Sequence, residues 1–323
     1  MKKFLEKVLP ENTLILKAIA VIVTVCISLP LTWWIIYVLG VYGITLFLLI
    51  PVLIGVSSTT IVGLKKEINK KEAWNIGFIT LCIFSLVLFI MAFDGIICMI
   101  MAAPIGLLLT KIGTLLGCLI ARKTPGNGPV SILILLIFIP SAAFMEKESQ
   151  PSLSKVVTSV EITADAETVW KNVVEFPELE EPDELLFKAG IAYPVNAKID
   201  GKGVGAVRYC NFNTGSFVEP ITVWDQPYLL AFDVAEQPEP MEEISFWDIN
   251  APHLHEYFVS KKGQFRIIKL PNGNTLLEGT TWYYHNIRPE FYWRIWSNYI
   301  IHQIHKRVLN HIKKNAEASL NSK

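Results

Sequence analysis

The chain has 323 residues, 52% hydrophobic and 18% charged, with mean hydropathy +0.41 and a formal net charge of zero. This composition excludes a disordered chain and a basic nucleic-acid-binding protein, and it does not suit an ordinary soluble enzyme. The zero hides a division: residues 1–145 carry 11 Lys+Arg against 5 Asp+Glu, and residues 146–323 carry 18 against 24. An apolar, basic first part and a mixed, acidic second part imply lipid for one and water for the other. The predicted organisation is a helical membrane region over 1–145, a linker over 146–154 and a folded polar domain over 155–319.

The stretch Leu14–Leu64 holds one charge, Lys17. It is long enough for two bilayer crossings of ~20 apolar residues each, placed at about 14–37 and 44–64. Trp33, Trp34, Tyr37 and Tyr42 cluster at the connection, as aromatic side chains do at a membrane–water interface. Pro30 and Pro51 should kink these helices. Lys65, Lys66, Lys70 and Lys71 follow in a polar loop. A third span is expected at about 74–93, closed by the turn Asp94-Gly95, and a fourth at about 96–120, closed by Arg122 and Lys123. Residues 124–129 read as a loop. The last apolar run, Val130–Phe144 with Pro140 inside, reads as a short fifth span, or else as a cleaved or interfacial signal-like segment.

Orientation follows from the short loops. Lys2, Lys3, Lys7, the four loop lysines, Arg122 and Lys123 fall on one side, predicted cytoplasmic, and the connections 38–43 and 94–95 carry no Lys or Arg. A fifth crossing then puts the polar domain outside the cytoplasm; without it the domain stays inside. Lys111 marks either a functional intramembrane charge or the interfacial end of the fourth helix.

Beyond the linker, Lys155–Ile162 alternates as a strand. A helix begins at Asp165, with Val169, Trp170, Val173, Val174 and Phe176 on its apolar face and Pro177 as its stop. An acidic second helix is expected within 178–189. Val204–Phe212 and Ser216–Trp224 form a hairpin across Asn213-Thr-Gly215. Strands follow at Tyr228–Ala235, His255–Ser260, Gln264–Leu270 and Thr275–Tyr284, with a long loop over 236–252 and a hairpin turn at Pro271-Asn-Gly-Asn274. Residues 289–317 form one helix, with Trp293, Trp296, Ile300, Ile304, Val308 and Ile312 in a single stripe. The pattern is α+β: a curved antiparallel sheet against a long C-terminal helix.

The strings VTSVEITADAETVWKNVVEFPEL and FYWRIWSNYIIHQIHKRVLNHIK resemble the opening strand–helix and closing helix of the START-like, or SRPBCC, superfamily (polyketide cyclase/dehydrase-like), over about 155–315. The strings VGAVRYCNFNTGSFVEPITVWDQP, GQFRIIKLPNGNTLLEGTTWYY and FDGIICMIMAAPIGLLLTKIGTLLG resemble bacterial membrane proteins that fuse several spans to such a domain. The resemblance implies a helix-grip fold with a hydrophobic cavity, in a bacterial cytoplasmic membrane protein. It implies no particular reaction, because this fold hosts many functions.

Strand alternation places Ala206, Arg208, Cys210 and Phe212 on one face, with Arg208 opposite Glu219 and Cys210 opposite Phe217. Facing a cavity, Arg208 would hold a ligand carboxylate or phosphate, with Glu219 fixing its guanidinium; facing water, the two make an ordinary cross-strand pair. Leu276, Glu278, Thr280, Trp282 and Tyr284 share another face, either inward or solvated with Leu277, Thr281 and Tyr283 inward instead. Trp296 belongs to an aromatic-rich end with Trp282, Tyr283, Tyr284, Phe291, Tyr292 and Trp293, which is core, cavity lining or a contact with the membrane surface. Cys210 reads as a buried small residue rather than a nucleophile. His253, His255 and Glu256, and the pair His302 and His305, read as ordinary side chains rather than metal ligands. No Cys/His zinc spacing, P-loop, GxGxxG, HExxH or GxSxG motif occurs, so no metal and no cofactor is expected.

Two functions follow. The first is a membrane-tethered binding domain for a hydrophobic or amphipathic small molecule or lipid. The second is a cyclase-, dehydratase- or hydrolase-type enzyme using Arg208, Glu219 or Glu278 in the same cavity. A structural or sensory role for the bundle is a third reading.

Overall fold

The structure, a computed structural model, describes residues 9–124, 127–147, 151–242, 244, 246, 252–255 and 257–321. Lys2, Lys3, Lys7, the centre of the linker and Glu256 lie outside the described residues. The chain divides into two compact units: Met1–Gln150 with Ile244–Pro252 and Ile287–Pro289, and Pro151–Glu243 with His253–Asn286 and Glu290–Lys323.

The first unit holds five helices long and apolar enough to cross a membrane: α1 (Thr13–Val38), α2 (Thr45–Gly63), α3 (Lys70–Ile90), α4 (Ile96–Lys123) and α5 (Gly128–Glu146). The Asn12 side chain caps α1 by accepting from the Leu14 and Ile15 amides. Just past Pro30, α1 widens into a π-turn over Trp34–Val38. α2 is the buried centre, and the flanks of the other helices carry the exposed apolar side chains. α2 and α4 touch backbone to backbone. A Cβ on Gly113 would lie 2.5 Å from the Val52 carbonyl oxygen, and one on Gly55 would lie 2.4 Å from that of Thr110. Small residues at the contact permit this close approach of the two helices.

The two ends of the bundle differ in charge. Lys17 pairs with Glu72, Lys65 pairs with Glu11, and the Arg122 guanidinium donates to the Ile68 carbonyl, all at the α2–α3 loop end. The opposite end holds Glu146, whose carboxylate accepts from the Ile44 and Thr45 amides and the Thr45 hydroxyl at the start of α2. At the other end of α5, Gly128 lies against Thr60, near the end of α2. α5 therefore runs antiparallel to α2 along its length, about 28 Å for 19 residues. The Lys111 ammonium lies 6.0 Å from the Trp74 ring centroid, turned toward the basic end of the bundle.

The second unit is a seven-stranded antiparallel sheet, in spatial order β1-β7-β6-β5-β4-β3-β2. The strands are β1 (Ser154–Ile162), β2 (Pro194–Asp200), β3 (Val207–Phe212), β4 (Gly215–Asp225), β5 (Leu229–Asp233), β6 (Phe258–Lys269) and β7 (Thr275–His285). α6 (Ala166–Val174) and α8 (Glu290–Asn321) cover its concave face, and the short α7 (Leu185–Lys188) lies between α6 and β2 in the chain. Asp165 caps α6 through the Thr168 amide and hydroxyl. Val169, Trp170 and Val173 of α6, Leu309 and Ile312 of α8, and Leu230, Ile267 and Leu277 of the sheet form one core. This is a helix-grip arrangement.

Several sequence expectations change in detail. The two runs His255–Ser260 and Gln264–Leu270 belong to one strand, β6, and the pairing shifts by one residue between Ser260 and Lys262. That bulge keeps Ser260, Gly263, Phe265 and Ile267 on the face toward α8, which alternation across the whole run would not do. β2 is an addition, although Val195, Ala197 and Ile199 alternate as a strand should. The helix expected within 178–189 shrinks to Leu185–Lys188. β3 starts at Val207 rather than Val204, because Gly203 and Gly205 take positive φ and turn the chain.

Candidate functional site

β3 and β4 meet across Asn213-Thr214 in the register that sets Arg208 against Glu219 and Cys210 against Phe217. Their inward face looks at the core. Arg208 is 1% exposed and Glu219 6%, so the pair is buried rather than solvated. One Arg208 Nη1 hydrogen is given to the Glu219 carboxylate, and Nε–H donates to the Val174 carbonyl at 3.1 Å. Val174 ends α6, so the cation also meets the negative end of that helix. The rings of Phe176, Phe232 and Phe265 surround the guanidinium carbon at 5.6, 5.6 and 5.5 Å. Such placement attracts a cation to the ring faces. Gly263 makes room for the Phe232 ring, since a Cβ there would lie 2.6 Å from it.

One group is left over. Among the described residues, the buried Arg208 Nη2 meets no hydrogen-bonding nitrogen or oxygen, and the guanidinium's remaining polar neighbour is the weakly accepting Cys210 sulfur. A buried, unspent donor costs roughly 1–3 kcal/mol, more on a charged group. Burial pushes the Glu219 carboxyl above its usual range, and Arg208 offsets part of that. For Arg208 itself, burial opposes the charge, but the Glu219 carboxylate outweighs it and holds the guanidinium charged. Burial, with Glu219 beside it, pushes the Cys210 thiol up to about 12. A thiol so placed is not a nucleophile at neutral pH.

Arg208, Cys210, Phe217 and Glu219 border a cavity of about 120 Å³ between the sheet and α8. Its walls are mostly aromatic and aliphatic: Phe212, Phe232, Phe258 and Phe265 from the sheet, Ile301, Ile304, Val308 and Leu309 from α8. A second polar group sits on its helix side. His305 borders the cavity, and its Nε2 lies 2.8 Å from the Thr281 hydroxyl on β7. Its Nδ1 lies 3.0 Å from the Thr158 hydroxyl on β1, which is also 2.7 Å from Nδ1 of His302.

The remaining sequence candidates separate. Thr280 borders the cavity. Glu278 and Trp282 do not: the β7 side chains that meet α8 are Leu277, Thr281 and Tyr283, and Trp282 instead lies under the Lys262 ammonium at 4.9 Å. Trp296 is half-buried on α8 and is not part of the cavity wall. The two histidines of α8 converge on a hydroxyl, not on a common metal position, and no cluster of three metal-ligating side chains occurs among the described residues. His255 lies 3.6 Å from the Glu239 carboxylate. Thr158 carries no signal in the sequence, and Thr281 is inward there only in the alternative face of β7, with Leu277 and Tyr283. Both are inward positions of strands that only the fold brings to α8.

Burial, and then His302, hold His305 down at about 4. The unfolded imidazole titrates near 6.5. Between those values the unfolded chain binds the extra proton, so the stability linked to His305 is complete above pH ~6.5 and is lost as pH falls toward 4. His305→Gln should remove that share of the decline. Unfolding midpoints of both proteins from pH 7.5 to 4.5 check this, and parallel curves would contradict it.

No family model matches the sequence, and no curated protein matches it. Among solved structures, the chain is similar to norcoclaurine synthase of Thalictrum flavum in complex with dopamine and hydroxybenzaldehyde: 13% identity and TM-score 0.34 over 54% of this chain and 90% of that one. It is also similar to the Zhui aromatase/cyclase of Streptomyces sp. R1128, with 14% identity and TM-score 0.35 over 52% of this chain and 96% of that one. A third is a protein of Nitrosospira multiformis, with 15% identity and TM-score 0.34 over 52% and 99%. At these values the likeness carries no chemistry across, and the site has to be read from its own groups.

Proposed function

We propose that the second unit binds a small, mostly apolar molecule bearing a hydrogen-bond acceptor, and that the helical unit anchors it in a membrane. The observation that carries this reading is the aromatic-walled cavity ending on a buried arginine with a spare donor. Apolar walls with a few convergent polar groups are the usual make-up of a small-molecule site. The cavity, about 120 Å³, is smaller than the roughly 300–1,000 Å³ of sites for drug-sized ligands. That size favours a guest of about one ring over a whole lipid.

Charge narrows the guest further. Glu219 already neutralises Arg208, so a carboxylate or phosphate beside them would face an uncompensated like charge. A carbonyl or hydroxyl oxygen would use Nη2 without that penalty. Because Nη2 is covered, the guest reaches it by displacing Phe232 or Phe265, the two rings beside the guanidinium that line the cavity.

The membrane role rests on α5. Glu146 ends at the face of the bundle opposite Lys65, Lys66 and Arg122, which supports a fifth crossing. With the basic end in the cytoplasm, the second unit is extracytoplasmic.

Acetophenone and isopropylbenzene have nearly the same shape and differ in the carbonyl. With the full chain in detergent micelles, saturation-transfer NMR should detect acetophenone at least about tenfold more tightly bound, the ratio that one well-made hydrogen bond supplies. Arg208→Met paired with Glu219→Leu, which leaves no stranded charge, should erase the preference while leaving hydrocarbon binding. Equal binding of the two compounds to the wild-type chain would overturn the assignment.

A further inference from the structure

The hydroxyls and rings on the helix side of the cavity form an unbroken chain: Thr281, His305, Thr158, His302. Each link lies within hydrogen-bond range, at 2.8, 3.0 and 2.7 Å. Thr281 and His305 border the cavity, while His302 is half-buried and is not among the residues lining it. Thr158, 8% exposed, sits between the two imidazoles and has one proton for two ring nitrogens. It must donate to one and accept from the other.

That constraint leaves two proton arrangements. In one, His302 Nδ1–H donates to Thr158, Thr158 donates to His305 Nδ1, and His305 Nε2–H donates to Thr281. In the other every bond is reversed: Thr281 donates to His305 Nε2, His305 Nδ1–H donates to Thr158, and Thr158 donates to His302 Nδ1. Both satisfy all four groups with both imidazoles neutral. A core that needed these residues for packing alone would not require two ring nitrogens on one hydroxyl.

We propose that Thr281 and His305 exchange protons with a weakly acidic hydroxyl, phenol or enol, of the cavity's guest, and that Thr158 and His302 connect them to bulk water. This rests on the cavity taking up a guest as argued above. The transfer balances at every atom. The guest O–H proton passes to Thr281 Oγ1 as the Thr281 proton passes to His305 Nε2. The His305 Nδ1 proton passes to Thr158 Oγ1, the Thr158 proton to His302 Nδ1, and the His302 Nε2 proton to water. Every side chain ends neutral, the guest oxygen keeps the O–H electron pair as a transient oxyanion, the accepting water leaves as hydronium, and the chain is left in its other arrangement. Threonine hydroxyls neither gain nor lose net charge, so the hops are concerted. His305 is the acid–base group, and Thr158 and His302 act through it as positioning and relay residues.

The sequence has six histidines, few enough for residue-specific nitrogen NMR of the full chain in micelles. Exchange of the His305 ring N–H with water, measured with no ligand added, reads the relay whether or not any guest binds. Thr158→Val keeps the side-chain shape and removes the bridge. It should slow that exchange by about tenfold or more, the weight of one lost hydrogen-bonded step. Thr158→Ser restores the hydroxyl and should keep the wild-type rate. His302→Phe, which cuts the line further out, should slow exchange like the valine variant. Unchanged exchange in both Thr158→Val and His302→Phe would overturn the relay, since protons would then leave through the cavity itself. Binding of acetophenone without isopropylbenzene would still stand in that case, so the two readings fail separately.

Discussion

Arg208→Ala is expected to destabilise the second unit by about 3–5 kcal/mol, the cost of stranding one partner of a buried ion pair. The residue is 1% exposed, so water does not replace what is lost. Truncation leaves the Glu219 carboxylate buried without its counter-charge and the Val174 carbonyl without its donor, and it opens a hole between Phe176, Phe232 and Phe265. Against a typical domain stability of about 5–15 kcal/mol, that is a large fraction. The paired replacement Arg208→Met with Glu219→Leu removes both charges and should recover most of the loss, because well-packed apolar substitutes for a buried pair are often neutral or better. Hydrogen exchange of the β3–β4 peptides in the full chain, read by mass spectrometry, measures the second unit without assuming that the whole chain unfolds in one step. Equal exchange in wild type and Arg208→Ala would mean that the pair is solvated.

The second large effect lies in the bundle. Gly113→Ala places a methyl 2.5 Å from the Val52 carbonyl and 3.1 Å from the Gly55 Cα, both backbone atoms that cannot rotate away. The helices α2 and α4 must part, at the 1–3 kcal/mol or so that overpacking costs. Gly106→Ala is the control. It lies on the same helix, and its new methyl meets nothing within 4 Å. There the better helix propensity of alanine should show, at up to about 1 kcal/mol in favour. Thermal stability of the purified full chain should therefore fall for Gly113→Ala and hold or rise for Gly106→Ala. Similar shifts in the two variants would rule out the backbone contact.

Much of this architecture is legible in the residues because its determinants are local. Apolar runs broken by Lys65–Lys71, Asp94-Gly95 and residues 124–129 mark the helices. Asn213-Thr214 fixes a two-residue connection, and that alone pairs Arg208 with Glu219. What escapes is set by partners distant in sequence. The inward face of β7 depends on which side α8 covers, so Glu278 and Trp282 are as plausible inside as Leu277 and Thr281 until α8 is in place. A one-residue bulge near Lys261 makes a continuous strand read as two. His302 and His305 stand one turn apart, and sequence alone cannot show that Thr158, some 144 residues earlier, lies between their rings.

The claim on which the rest depends is that the space under α8 holds a guest. Native mass spectrometry of the full chain, purified in detergent from the cells that make it, tests this directly alongside Leu309→Trp, in which a larger ring is built into the cavity wall. The wild-type chain should carry a bound molecule of about one ring, with a carbonyl or hydroxyl oxygen, and the tryptophan variant should be bare. A bare wild-type chain, or the same molecule kept by Leu309→Trp, would contradict the account.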